Sequence, residues 1–248
     1  MKYKGLCSVT FRGLTVESII ELAKGCGLDC IEWGGDVHVP PSDVENAKRV
    51  GSLTRESGLK TLSYGSYYRF REDQDYESVI LACNALGAKT VRVWAGEKDG
   101  EKFTETEYGA LVEKVREVAT LAGRYGITVA FEFHFNTYCN TAENALRLIS
   151  DVSMPNVLSY WQPSYWHEPA EEEYEVNMCA LRALSGKIAG VHVYKWRGCT
   201  RLALSEGEKE WHDYAQTIGD APYYLEFVAG DEQEQFAQDC KTLKKITE

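Results

Sequence analysis

CNALGAKTVRVW, residues 83–94, decides the fold. An amphipathic run ends at Gly87, and a β-branched run ending in Trp94 begins almost at once. Glycine suits the left-handed residue that closes a helix, and TVRVW is typical of a buried strand, so the stretch reads as a helix handing over to a strand. The same junction recurs in AKGCGLDCIEW (23–33), TRESGLKTLSY (54–64) and AGRYGITVAFEF (122–133), around Gly27, Gly58 and Gly126. Their strands start near Asp29, Lys60, Lys89 and Ile127, a spacing of about 30 to 40 residues, which is one βα unit with its loops.

Four further runs, GLCSVTF (5–11), NVLSYW (156–161), IAGVHVYKW (188–196) and YYLEFV (223–228), bring the strands to eight. Helical patterns lie between them, several opening with Thr, Ser or Asp caps and an acidic first turn. Eight strand and helix pairs in 248 residues predict an α/β protein of one domain, 1–248, folded as a (β/α)8 barrel, the TIM barrel architecture. A doubly wound open sheet would be expected to carry GxGxxG after the first strand, and none stands there. With 44% hydrophobic and 26% charged residues the composition is globular. A net charge of −11 argues against a nucleic-acid partner. The eight cysteines include no CxxC pair and read as reduced thiols. Neither a signal peptide nor a run of ~20 apolar residues is evident, so no membrane partner and a cytoplasmic location are expected. A homo-oligomer remains open.

In such a barrel, chemistry is built where the strands end. There the sequence places Glu32, Glu132, His134, Gln162, His192 and Glu226, each embedded in apolar or aromatic residues (IEW, AFEFHF, YWQP, GVHVYKW, YLEFV). Charged groups inside strands are costly unless paired or bound to a cation. The carboxylates of Glu132 and Glu226, the imidazole of His192 and the amide oxygen of Gln162 form a hard, mostly oxygen shell. Mn²⁺, Mg²⁺ or Co²⁺ fit it better than Zn²⁺, and leave positions open for substrate oxygens. The rival reading is a buried hydrogen-bond network of these groups with an arginine such as Arg92.

The ordered set, Glu32 in IEW, Glu132 in FEFH, His192 in VHVYKW and Glu226 in YLEF, resembles the xylose isomerase-like superfamily of sugar isomerases and epimerases, across essentially the whole chain. Ketose epimerases of that superfamily hold their ion with Glu, Asp, His and Glu, and the two glutamates also move the protons. The resemblance thus implies a metal site of Glu132, Gln162, His192 and Glu226, with Glu132 and Glu226 as catalytic acid and base. Gln162 stands where Asp is usual, a change that lowers the charge of the shell and weakens its hold on an ion. Tyr165 stands where a histidine is common, and His134 matches a Glu-x-His pattern of the superfamily.

Candidate substrate contacts are Glu32, His38 in the loop after the second strand, His134, Tyr165, His167 as a replacement for the missing histidine, and Arg197 for an anionic group. Trp33, Trp94, Trp161 and Trp196, at or just beyond strand ends, are candidates for stacking on the C–H faces of a sugar. The expected ligand is a small sugar, sugar phosphate or polyol derivative. The favoured reading is a metal-dependent isomerase or epimerase working through an enediolate. The alternatives are a dehydratase or lyase on the same metal site and a non-catalytic sugar-binding barrel. A nuclease of this fold would want a histidine-rich three-metal cluster, which five histidines and the acidic charge oppose.

Overall fold

The computed structural model describes residues 2–165 and 172–248. His167 lies outside the described residues. Eight strands, Lys4–Cys7 (β1), Cys30–Gly34 (β2), Lys60–Gly65 (β3), Thr90–Val93 (β4), Thr128–Glu132 (β5), Val157–Trp161 (β6), Ile188–Val193 (β7) and Tyr223–Leu225 (β10), pair in parallel around a closed barrel. β1 closes it against β10, with Leu6 opposite Leu225. Helices Val16–Gly25 (α1), Val44–Glu56 (α2), Tyr76–Leu86 (α3), Glu105–Arg124 (α4), Ala142–Val152 (α5), Glu173–Ala183 (α6), Glu208–Ile218 (α7) and Gln233–Thr247 (α8) alternate with the strands. This is the expected (β/α)8 barrel. No helix among the described residues is long and apolar enough to cross a membrane.

The four glycine junctions share one geometry. At Gly87 φ is +85°, and the next N–H, of Ala88, reaches back to the carbonyl of Cys83 (3.1 Å) while that of Gly87 bonds to Asn84 (3.0 Å). Leu28 to Ala23, Leu59 to Thr54 and Ile127 to Ala122 repeat the bond at 3.0 to 3.1 Å. Each closes the last turn of a helix and turns the chain directly into a strand. At the other helix ends Thr15, Asp43, Asp75, Thr104 and Thr141 accept a first-turn N–H, as their positions suggest.

One run divides. IAGVHVYKW does not continue as a single strand: β7 stops at Val193, and Lys195–Arg197 (β8) folds back on Thr200–Leu202 (β9) as an antiparallel hairpin above the barrel. Its two-residue turn begins at Gly198, with φ +54°. That signal for a tight hairpin turn was present in the sequence.

Alternation along the strands separates residues that the sequence reading grouped together. Glu32 points into the barrel, so its neighbour Trp33 points out, where its Nε1 donates to Thr54 of α2 (3.1 Å). Tyr160 points in against His192, so Trp161 points out and packs edge-on against Trp211 and Tyr214 of α7. Neither tryptophan is available to stack on a ligand at the barrel mouth. His38 is also buried: its Nε2 lies 3.0 Å from the Leu14 carbonyl and its ring meets Trp33 edge-on, so it ties two loops together rather than reaching a substrate.

The barrel floor is aromatic, with Tyr160 and Tyr224 stacked at 6.3 Å. Gly5 on β1 makes room for it. A Cβ there would stand 2.6 Å from Tyr224 Cδ1 and 2.8 Å from Cys30 Sγ. Gly5→Ala is therefore expected to lower stability by about 1 to 3 kcal/mol through overpacking, and a urea midpoint equal to or above that of the wild type would contradict this packing.

His38 gives a pH signature. Burial lowers its pKa below the ordinary histidine value of 6.5, the opposing bond to Leu14 notwithstanding. The stability it contributes is thus present above pH 6.5 and is lost as pH falls through its folded pKa. The stability gap between wild type and His38→Gln should narrow between about pH 7 and about pH 5. Denaturant titrations across that range check it, and a constant gap would show that His38 is not held neutral by burial.

Candidate active site

Five strands deliver pairs of inward residues, two positions apart, to one end of the barrel: Arg92 and Trp94 from β4, Glu132 and His134 from β5, Tyr160 and Gln162 from β6, His192 and Tyr194 from β7, Tyr224 and Glu226 from β10. A cavity of about 140 Å³ opens above them, lined among others by Arg92, Trp94, Glu132, His134, Gln162, Tyr194 and Glu226.

His192, fully buried on β7, organises the site because its two ring nitrogens face different groups. Its Nε2 lies 3.0 Å from Glu32 Oε1. Its Nδ1 faces three oxygens: Gln162 Oε1 at 3.0 Å, Glu226 Oε2 at 3.3 Å and Glu132 Oε1 at 3.8 Å. One ring nitrogen forms one good hydrogen bond, so three acceptors around it are more than it can satisfy. Ligands bound to a single ion at ~2.0 to 2.3 Å stand about 3 to 3.5 Å apart. Gln162 Oε1 and Glu226 Oε2 stand at that spacing from His192 Nδ1 and Glu132 Oε1 somewhat beyond it, so three oxygens and one nitrogen of the types that hold a divalent ion converge on the side facing the cavity.

On the opposite side, Cys7, Glu32 and His192 offer ligand atoms within 4.8 Å of one another, the one such cluster of His, Cys, Asp and Glu among the described residues. Its central oxygen is already taken. Glu32 Oε1 also accepts from Arg92 Nε (3.0 Å) and lies 3.3 Å from Cys7 Sγ, while Glu32 Oε2 accepts from Ser63 Oγ (2.6 Å). The cation serving this side is the guanidinium. Glu32 thus correctly belongs to the barrel interior, fully buried and outside the cavity lining, and not to the substrate contacts expected of it.

The three carboxylates differ in their surroundings. Burial would raise Glu32, but Arg92 and His192 outweigh it and hold the group well below the usual carboxylate range. Glu132 is lowered in the same way against its burial, with Arg92 the main opposing charge, and its Oε2 accepts from both Arg92 Nη1 and Trp94 Nε1. Among the described residues Glu226 has no arginine or lysine partner, and its one ion pair is with His192. Burial, with Glu132 and Glu32 adding to it, pushes it up to about 7 against the pull of His192 and Arg92. Burial would lower His192, but Glu226 and Glu32 reverse this and raise it. Cys7 is raised well above its ordinary value by burial, then by Glu32 and Glu226, and stays a thiol.

Of the other expected contacts, four line the cavity. The rings of Trp94 and His134 stack at 5.2 Å, with His134 Nδ1 on the Phe135 carbonyl. Tyr165 and Trp196 stack at 4.9 Å, almost parallel. Arg197 is exposed on the hairpin and does not line this cavity. Arg12, Tyr67, Tyr194 and Phe227 also line it, and of these Arg12, Tyr194 and Phe227 were not anticipated. Tyr194 had a signal, standing two residues beyond His192 on the same face. Arg12 had none, since nothing local marks a loop arginine as facing a distant cavity.

The chain is similar to known proteins over much of its length. A curated 3-dehydroshikimate dehydratase of Bacillus anthracis is 26% identical over 168 residues, 63% of this chain, and the match spans 60% of that protein's length. The crystal structure of the probable 3-DHS dehydratase of Bacillus anthracis, involved in petrobactin synthesis, superposes with a TM-score of 0.80 at 20% identity, covering 98% of this chain and 99% of that one. An L-ribulose 3-epimerase structure has a TM-score of 0.74 at 16% identity, covering 100% of this chain and 94% of that one. Residues 20–246 match the xylose isomerase-like TIM barrel family, to which the chain belongs.

Proposed function

We propose that this barrel is a metal-assisted lyase that removes water from a small polyhydroxylated ketone, with cyclic β-hydroxyketones such as 3-dehydroshikimate as the substrate class. This inverts the order drawn from the sequence alone, where epimerisation came first. One observation carries the change: Glu132 Oε2 is occupied by Arg92 and Trp94, whereas Glu226 faces the cavity with His192 beside it and no arginine or lysine partner among the described residues. An epimerase working between two carboxyls needs each to hold a proton in turn, on opposite faces of the substrate. A dehydratase needs only one. The relationship to 3-dehydroshikimate dehydratase supports the same choice.

In this reading Glu132, Gln162, His192 and Glu226 hold the ion, Mn²⁺, Mg²⁺ or Co²⁺, which supplies Lewis acidity toward the substrate carbonyl oxygen. Glu226 takes the proton from the carbon beside the carbonyl. The C–O bond to the β-hydroxyl then breaks, the same proton leaves with the hydroxyl as water, and a carbon–carbon double bond remains. Glu226 is thereby returned as a carboxylate. Glu132 stays ionised throughout. His134 hydrogen-bonds a substrate hydroxyl, and Trp94 with the Tyr165–Trp196 pair encloses the ring and excludes water.

Protein loaded with Mn²⁺ should convert 3-dehydroshikimate to a product lighter by one water, with new aromatic absorbance. Chelation should abolish this and added Mn²⁺ restore it. Glu226→Gln should lower kcat by about 10² to 10⁴ while Mn²⁺ stays bound. Solvent deuterium appearing at one carbon of a ketose with no loss of water would overturn the lyase reading in favour of epimerisation.

A further inference from the structure

We propose that Arg92 is the positioning residue of this site: one guanidinium orients two of the four proposed metal donors, Glu132 directly and His192 through Glu32, and Gly65 is the residue that admits it. The inference rests on the metal reading given above.

Arg92 is 1% exposed and lies on β4 between the two carboxylates. Its Nη1 donates to Glu132 Oε2, which leaves Oε1 as the oxygen that faces His192 Nδ1. Its Nε donates to Glu32 Oε1 at 3.0 Å, the same oxygen that receives His192 Nε2 at 3.0 Å. Glu32 is therefore fixed from one side by Arg92 and fixes the imidazole from the other. With Nε2 engaged in this way, Nδ1 is presented to the cavity. A partner on the far nitrogen commonly orients a metal-binding histidine. Here that partner has its own support.

The remaining nitrogen, Nη2, packs against β3. A Cβ on Gly65 would collide with it and would stand 3.1 Å from Arg92 Cζ and 3.2 Å from Glu32 Oε1. The φ of Gly65 does not lie in the left-handed region, so the backbone would accept another residue, and the guanidinium, with the Glu32 carboxylate beside it, excludes it. Across the guanidinium stands the ring of Tyr67, with Arg92 Cζ 5.4 Å from its centroid. Tyr67 itself has φ +58°, a costly value for a residue with a side chain, and its hydroxyl is held by Arg12 Nη2 at 3.0 Å. Lysine could not replace Arg92. A single ammonium on a flexible stem lacks the rigid fork that donates in two directions.

The test measures metal affinity instead of turnover. Chelator-stripped wild type, Arg92→Lys, Arg92→Gly and Gly65→Ala are titrated with MnCl₂, free Mn²⁺ is read by electron paramagnetic resonance, and folding is followed by circular dichroism. Arg92→Lys and Gly65→Ala should each bind Mn²⁺ about 10- to 100-fold more weakly, the loss typical of removing a partner that orients a ligand. Low concentrations of guanidinium ion should restore Mn²⁺ affinity to Arg92→Gly, and potassium should not. Gly65→Ala preserves every charge and keeps the test open if the arginine variants fail to fold. Affinity within about twofold of wild type in Gly65→Ala or Arg92→Lys would overturn the inference by reducing Arg92 to a structural counter-ion. Tighter binding would overturn it by showing that the guanidinium competes with the ion. No Mn²⁺ uptake by wild type would overturn the metal reading and this inference together, whereas bound Mn²⁺ without dehydration would overturn the lyase reading alone.

Discussion

A buried guanidinium between two buried carboxylates is the constraint on which the site depends. Glu32 and Glu132 are 0% and 3% exposed, and neither could stay ionised in the barrel without a cation beside it. Arg92 supplies that charge to both with the directional donors of one planar group. Breaking such an arrangement by removing one member leaves an uncompensated buried charge, which typically costs about 3 to 5 kcal/mol. The same ion pairs that make the charges tolerable also fix where their free oxygens point. Electrostatic satisfaction and ligand geometry are one feature here.

That feature needs space, and the barrel provides it by omitting side chains. Gly65 clears the volume that Arg92 Nη2 fills, Gly5 clears the volume for Tyr224, and Gly190 faces the Tyr160 ring. The interior is consequently layered, with stacked tyrosines as the floor, the Glu32–Arg92–Glu132 and His192 network above them, and the cavity above that. Aromatic groups below limit water access to the ion pairs, which strengthens them relative to pairs at a surface.

How far the sequence foretold this depends on whether a signal was local. Gly27, Gly58, Gly87 and Gly126 were readable because the turn that ends each helix needs a left-handed residue at one position, whatever the rest of the chain does. Glu132, His192 and Glu226 were readable because an ionisable group in an apolar strand carries a cost that demands an explanation. Trp33 and Trp161 went astray because proximity to a strand end was weighed without parity. Each adjoins an inward residue and so must face a helix. Parity would also have promoted Arg92, which shares its face with Trp94. What no local pattern could supply was the partner on each side. The contact of Arg92 with Glu32 spans 60 residues and that of His192 with Glu32 spans 160, and both are set only when the barrel closes.

The charge count gives Gln162 a place in the proposed site. Glu32, Glu132 and Glu226 as carboxylates stand against the one guanidinium of Arg92, and with His192 neutral, as an imidazole that ligates an ion must be, they leave two negative charges, which a divalent ion cancels. An amide at position 162 adds a fourth donor, its Oε1 already 3.0 Å from His192 Nδ1, without adding a charge. A carboxylate at that position would leave one negative charge unmatched in a site where desolvation makes surplus charge costly. The departure from the usual aspartate is thus consistent with a working shell whose anionic total includes Glu32, a residue that touches no ion but is counted through Arg92. On this argument Gln162 and Arg92 are two parts of a single electrostatic arrangement, and Glu226 is left as the one carboxyl free to exchange a proton with whatever occupies the cavity.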